Sequence, residues 1–348
     1  MFSVLKPYIF SLDPEVAHDL AIKSLKLNVL PKSIFSVQDE EILETKLFNE
    51  RLPNPVGLAA GFDKSAEVYN SLFKLGYGFV EVGTITPRRQ LGNPKPRIFR
   101  LEKDQALINR LGFNNHGSEI ISKRIADNLP SGFLGINIGP NKDTLNKEED
   151  YYVCLSKLSS FAGYLTINIS SPNTEGLRNF HDQKELEKLL IGLNKIKKDK
   201  KISKPLALKL SPDINDTEIS KIVELIIKYK IDGIIVSNTT DDNREKLFDE
   251  KKVELGGLSG KPLEKISTHL IKKFFRETRG RIQIIGVGGV DSGKAAFEKI
   301  IAGANAVQLY TGMVYKGPGI VKEVKKELIS ILKKENLKNI SQAIGINA

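Results

Sequence analysis

Apolar positions along this chain recur with two different periods. Short runs rich in Val, Ile, Leu and Gly stand at 56–60, 78–83, 134–138, 164–169, 205–210, 232–237, 282–287 and 305–310. Between nearly all of them the spacing changes to three and four residues, as in Leu186, Leu189, Leu190, Leu193 and Ile196, or in Ile219, Ile222, Val223 and Ile226. The first period is that of strands and the second that of helices. A strand apolar on consecutive residues is buried on both faces, and such strands alternating with helices form parallel βαβ units. Eight of them predict an α/β chain folded as a (β/α)8 TIM barrel. A doubly wound open sheet is the alternative. The first strand-to-helix turn, GLAAGFDK at 57–64, lacks the GxGxxG spacing that would favour it.

The first thirty residues follow a different rule. One helical pattern runs through Val4, Leu5, Tyr8, Ile9 and Leu12, and a second through Val16, Ala17, Leu20, Ala21 and Leu25. Asp13 followed by Pro14 is an N-cap with proline at the first helical position, so the second helix begins there. The expected organisation is a small two-helix extension over residues 1–40 and a barrel over residues 41–348. This amphipathic pair has two readings: a cap packed on the barrel, or an in-plane membrane anchor whose Lys6, Lys23 and Lys26 face lipid head groups. Residues 45–55, TKLFNERLPNP, precede the first strand and are expected to form a hairpin that plugs the barrel floor. The connection after the second strand starts at Thr86, carries Pro87, Pro94, Pro96, Arg97 and Arg100, and continues to INRLGFNN at 108–115. It far exceeds the usual two to six residues, and long loops in barrels tend to be functional.

Composition narrows the partners. The 348 residues carry a formal net charge of +11, but the lysines are spread over helical stretches such as 195–204 and 322–334. Without a zinc-finger spacing or an aromatic-basic stacking motif, that charge does not indicate nucleic acid, while an anionic membrane surface stays open. Cys154 is the only cysteine, so an intramolecular disulfide and a cysteine metal cluster are both excluded. It reads as a small buried apolar side chain in a reducing compartment. Asp13, Glu15, His18 and Asp19 interrupt any signal-peptide core, and no apolar run approaches the roughly 20 residues of a membrane-spanning helix.

Barrel chemistry gathers at the C-terminal ends of the strands. Here those ends read Ala59, Ala60, Gly61, Phe62, Asp63 and Lys64; Gly83 and Thr84; Asn137, Ile138 and Gly139; Asn168 to Thr174; Lys209; Ser237, Asn238 and Thr239; Gly288 and Gly289; and Tyr310, Thr311 and Gly312. Amides, hydroxyls and two lysines converge with no His or Cys cluster, which argues against a metal-dependent hydrolase. GVGGVDSG at 286–293 followed by QLYTG at 308–312 has the look of a phosphate grip, where glycine lets backbone amides approach an anion. Lys209 ends an otherwise buried strand, so it needs either a negative partner or an outlet to solvent. A cation there would suit a ring that becomes electron-rich on reduction. Lys64 could hold a substrate carboxylate or form a surface ion pair.

GLAAGFDK, VGTITP, NPKPRIFRL, INRLGFNN, INISSPNT, ALKLSPD, SNTT, GGLSG, GVGG and LYTG, in that order, resemble the motifs of dihydroorotate dehydrogenases, and of the quinone-dependent class 2 form in particular. The resemblance covers essentially the whole chain, including the helix pair. Class 1 enzymes place Cys where this chain has Ser171 and lack the extension. By resemblance, FMN would lie on Ala60, Gly61, Phe62, Asp63, Lys64, Thr84, Asn137, Asn168, Lys209, Ser237, Gly260, Gly289, Tyr310 and Thr311. Dihydroorotate or orotate would be held by Lys64, by Asn109, Arg110, Leu111, Gly112 and Phe113, and by Asn168, Asn173, Asn238 and Thr239. Ser171 would take the C5 proton while the C6 hydride passes to the flavin, with Thr174 relaying the serine's own proton. His18 and Arg100 match positions lining a quinone tunnel beneath the helix pair, with Tyr310 near its inner end. The implied setting is pyrimidine (UMP) biosynthesis, as a peripheral protein on the cytoplasmic face of the inner membrane. Arg89 and Leu91, where the family usually has prolines, depart from the pattern, as do Phe62 and Ser237.

Overall fold

The computed structural model describes residues 2–27, 38–174, 176–242 and 244–348. Its strands, in chain order, are β1 (Thr45–Leu47), β2 (Glu50–Leu52), β3 (Val56–Leu58), β4 (Phe79–Ile85), β5 (Ile98–Leu101), β6 (Ala106–Asn109), β7 (Phe133–Ile138), β8 (Tyr164–Asn168), β9 (Leu206–Leu210), β10 (Gly233–Val236), β11 (Gly257–Gly260), β12 (Gln283–Val287) and β13 (Ala306–Leu309). Eight of them close a barrel in the order β3, β4, β7, β8, β9, β10, β12, β13, with every pairing parallel. These are the eight apolar runs of the sequence. Each intervening helix lays one apolar stripe on the barrel; the helix Gln183–Asp199, for example, buries Leu186, Leu189, Leu190 and Leu193. The helix Asp216–Lys228 starts at a reciprocal capping box between Asn215 and Glu218, which supplies partners for two N-terminal N–H groups.

The floor of the barrel is closed as expected. β1 and β2 form an antiparallel hairpin whose two turn residues, Phe48 and Asn49, have φ of 51° and 65°. Positive φ at both central residues is the turn that matches the twist of paired strands. The hairpin carries Leu47, Phe48 and Leu52 up against Phe79, Tyr164, Ile235 and Ile285.

The long connection after β4 differs from its reading as a loop. Ile98–Leu101 and Ala106–Asn109 pair as strands, and β11 adds on the other side of β6, making a three-stranded antiparallel sheet over the mouth. Local pattern could not reveal it, because the strands are four residues long and the partner Gly257 opposite Asn109 is remote in sequence.

Two helices precede the barrel, α1 (Phe2–Ser11) and α2 (Pro14–Lys26). The Asp13 carboxylate caps α2 by accepting the Glu15 and Val16 N–H groups at 2.9 and 3.1 Å. One face of the pair is docked: Ile22 and Leu25 join the barrel core, Glu15 binds Arg97 at 2.7 Å, and Lys26 binds Glu67 at 2.5 Å. The other face leaves Val4, Leu5, Tyr8, Leu12, Val16 and Leu20 exposed. The cap and the free apolar face therefore coexist. Of the three lysines expected to face lipid, Lys26 is engaged with Glu67 and Lys6 lies over the Phe10 and Tyr315 rings. Most of the expected boundary between extension and barrel, residues 28–37, lies outside the described residues.

Candidate functional site

Two adjoining cavities occupy the mouth of the barrel. The first is lined by Gly260 at the end of β11, Gly288 and Gly289 after β12, and Tyr310, Thr311 and Gly312 after β13. Glycine is required twice here. Gly260 has φ +100°, and a Cβ on it would lie 2.5 Å from the Gln105 carbonyl oxygen; Gly289 has φ +72°, and a Cβ on it would lie 2.5 Å from the Glu264 Cβ. The Gly289 backbone thus packs directly on the first turn of the helix Glu264–Thr278. Helix starts and successive backbone N–H groups of this kind favour an anion. The Thr311 and Ser259 hydroxyls are 2.8 Å apart at the same wall.

The second cavity shares Ala60, Asn109, Lys209, Asn238, Thr239 and Tyr310 with the first and continues past Gly61, Lys64, Thr84, Leu111, Gly112, Phe113, Asn168, Ser171 and Asn173. Its base is a connected layer of amides and hydroxyls. The Thr84 hydroxyl donates to Asn137 Oδ1 at 2.6 Å, and Asn168 Nδ2 donates to Thr84 Oγ1 at 3.0 Å and to Asn137 Oδ1 at 3.3 Å. Asn168 Oδ1 accepts from the Ser170 hydroxyl at 3.1 Å and from Asn238 Nδ2 at 3.4 Å. Asn173 Nδ2 donates to the Asn109 carbonyl at 3.0 Å, which ties the loop after β8 to the end of β6. Ser171 is buried, and its Oγ accepts the Asn173 N–H at 3.3 Å.

Both lysines are perturbed. Burial lowers the Lys209 ammonium below its ordinary range, opposed by the charge of Glu81. Among the described residues Lys209 makes no hydrogen bond or ion pair, and the Glu81 charge is what opposes the effect of its burial. Burial brings Lys64 down to about 8; Glu15, Asp19 and Asp63 oppose that shift and Arg97 assists it. Gln308 Oε1 and Asn114 Oδ1, both in cavity-lining side chains, are buried without a partner. A site with unpaired buried acceptors, an unpaired ammonium and a glycine cradle is suited to a ligand carrying a hydrogen-bonding ring and a phosphate.

Some expected residues stand apart from this pair of cavities. Asn137 is fully buried beneath them and acts through Thr84 and Asn168. The Asp63 carboxylate accepts the N–H groups of Glu67 and Val68 at 2.7 and 2.8 Å, which leaves its backbone to the site. Arg110 turns outward to Glu254 at 2.8 Å and stacks on Phe99. Phe62 faces α2, with His18 at 5.1 Å on one side and Tyr310 at 6.0 Å on the other. His18 lines a third cavity, between α2 and the barrel, and burial together with the Lys64 charge holds its imidazole well below the usual value. Arg100 lies under the turn between α1 and α2, donating to the Phe10 and Leu12 carbonyls at 3.1 and 2.9 Å.

Sequence reasoning misses Glu81 and Asn114. Glu81 is fully buried inside the barrel and accepts from Asn137 Nδ2 at 2.9 Å, Tyr164 OH at 2.7 Å and Gln308 Nε2 at 2.9 Å. The available signal was a carboxylate in the middle of FVEVG, a run otherwise apolar. Cys154 is buried, as expected, and its thiol is pushed up by burial. No helix is long and apolar enough to cross a membrane, and no group of His, Cys, Asp and Glu suited to a metal occurs, in both cases among the described residues.

Comparison with known proteins agrees with this geometry. Residues 42–332 match the family model described as dihydroorotate dehydrogenase. A relative from Bradyrhizobium sp. (strain ORS 278), named dihydroorotate dehydrogenase (quinone), is 44% identical over 98% of this chain and 94% of its own length. One of the same name from Rhodospirillum rubrum is 43% identical over 97% of this chain and 92% of its own. The crystal structure of DHODH from Eimeria tenella in complex with ferulenol superposes with a TM-score of 0.91 at 40% identity, covering 96% of each chain. The barrel strands and the strand-end residues all fall within the family match, the relatives cover nearly the whole chain, and the chain belongs to the dihydroorotate dehydrogenase family of oxidoreductases.

Proposed function

We propose that this chain oxidises (S)-dihydroorotate to orotate with FMN as its bound cofactor and a membrane quinone as electron acceptor, the redox step of pyrimidine (UMP) biosynthesis. The observation that carries this reading is the continuity of the glycine cradle with a buried amide layer that presents Ser171 and two lysines. The cradle of Gly260, Gly289 and Thr311 would hold the FMN phosphate, and Lys209, Thr84, Ser237 and Gln308 would face its ring. Bound FMN supplies an acceptor for the hydride that leaves C6 of the substrate.

The chain's own residues do the rest. Lys64 would pair with the substrate carboxylate, and Asn109, Asn168, Asn173, Asn238 and Thr239 would meet the polar edges of the pyrimidine ring. A ring whose every edge is paired excludes analogues lacking one, because the amides would then be buried without partners. Ser171 would remove the C5 proton. A hydroxyl is a weak base unless its own proton passes on as it accepts another, and Thr174, buried three residues along the same loop, would relay that proton through water. The aromatic series His18, Phe62 and Tyr310 joins α2 to the wall of the ring cavity and supports an approach of quinone along α2, with Arg100 holding the helix turn above it. The exposed apolar side of α1 and α2 supports a peripheral seat on a membrane surface; the family reading would put that seat on the anionic, cytoplasmic face of the inner membrane.

The test is anaerobic. Purified protein should be yellow, dihydroorotate should bleach it, and a quinone analogue should restore the colour. A flavin-free protein, or one that dihydroorotate does not bleach, overturns the reading. Reoxidation by fumarate or NAD, with none by quinone, would move it to a class 1 activity.

A further inference from the structure

Three donors converge on the two oxygens of Glu81: Asn137 Nδ2 on Oε1, and Tyr164 OH with Gln308 Nε2 on Oε2. An ionised carboxylate only accepts, whereas an asparagine can present either end of its amide. Asn137 is therefore obliged to turn its NH2 down to Glu81 and its oxygen up. That oxygen receives the Thr84 hydroxyl at 2.6 Å, and Asn168 turns its own NH2 toward the same pair. The Asn168 oxygen is then left to accept from Ser170 and Asn238, and the Asn238 oxygen to accept the Thr239 N–H at 2.8 Å. The chain of bonds crosses from β4 to β7 and β8 and on to the loop after β10 without a break.

We propose that Glu81 is the positioning residue that sets the donor and acceptor polarity of the ligand-facing amides, through Asn137 and Asn168, although it touches no ligand itself. With an amide in its place, an NH2 group meets Asn137 at one oxygen position or both Tyr164 and Gln308 at the other. The acceptor-only constraint that holds Asn137 in one orientation is then lost, and a flipped Asn137 passes the reversed polarity along the chain. Networks of this kind either specify one arrangement or fail together. This inference rests on the reading of the site as an orotate site.

The test separates charge from shape. Orotate affinity is measured on holoenzyme, by the change in flavin absorbance, for wild type, Glu81→Gln, Glu81→Asp and Tyr164→Phe, with flavin content and thermal midpoint recorded for each. Glu81→Gln keeps the shape and loses the obligatory acceptor, so orotate binding should weaken by at least about tenfold. Glu81→Asp is shorter but accepts only, and Tyr164→Phe leaves the carboxylate in place, so both should stay within about threefold of wild type. The reverse order, with Gln close to wild type and Asp impaired, would mean that Glu81 only fills space and would overturn the proposal. So would a loss in Tyr164→Phe equal to that in Glu81→Gln. If the Gln variant yields no holoenzyme, the Asp variant decides: retained affinity supports the proposal, and loss beyond about tenfold at normal flavin content defeats it. Wild type that shows no response to orotate would instead defeat the functional reading.

Discussion

At the scale of single residues, oxygen at position 171 is the feature with most chemical consequence. Replacing Ser171 by Ala removes the proposed base without disturbing the amide layer, to which Ser171 contributes only the acceptance of one backbone N–H. Flavin reduction by dihydroorotate should slow by roughly a hundred- to ten-thousand-fold, while reoxidation by quinone stays near normal. Stopped-flow measurement of the two half-reactions checks this, and equal damage to both would remove the role. Lys64 gives a second prediction. Burial lowers its ammonium to about 8, so the positive charge is complete below that value and is lost as pH rises through it. Orotate affinity should fall across that window, and binding above it should take up a proton, because a bound carboxylate favours the charged lysine. Titration calorimetry in buffers of different ionisation enthalpy reads that proton. The strand-end position of Ser171 was legible because it lies in a recognisable motif; the place of Glu81 in the site was not, because its three partners come from three other strands.

At the scale of elements, the docking of α2 depends on a pair that neither helix nor barrel could hold alone. Arg97 donates to Glu15 and also to the Leu91 and Asn93 carbonyls at 2.8 and 2.7 Å, with both side chains nearly buried. Burial alone would raise the Glu15 carboxyl, but the hydrogen bond and charge of Arg97, with help from Lys95, lower it overall. The docking is therefore fully supported above the ordinary carboxylate range and is lost as acid protonates Glu15 below it. Glu15→Ala leaves Arg97 buried without its countercharge, at a cost of about 3 kcal/mol. We expect faster proteolysis of the first 27 residues and a higher KM for quinone, with flavin reduction by dihydroorotate unchanged. An unchanged quinone KM would separate the helix pair from the quinone route. The sheet of β5, β6 and β11 belongs to this scale as well, since it turns an apparent loop into paired strands that fix Asn109 opposite Gly257.

For the molecule as a whole, the barrel is filled from below by a hairpin and from above by the polar layer. Phe48 sits at the centre of the plug, with its ring 5.1 Å from that of Tyr164. Phe48→Ala opens a cavity under the barrel and should destabilise the protein by about 3–5 kcal/mol in denaturant unfolding. Orotate affinity of the remaining folded holoenzyme should be preserved, because Glu81 still receives its three donors. A loss of orotate binding without loss of stability would contradict this division between floor and site.

The eight strands, their alternation with helices, the hairpin plug, the Asp13 cap and the strand-end positions of the candidate site can all be read from the order of residues, because each depends on local periodicity or on a side chain's own hydrogen bond. The sheet over the mouth, the pairing of Glu15 with Arg97, the outward turn of Arg110 and the convergence of three donors on Glu81 emerge only in the folded chain. Those features need partners remote in the chain, and a carboxylate in an apolar strand acquires its meaning only when the closed barrel brings Asn137, Tyr164 and Gln308 to its two oxygens.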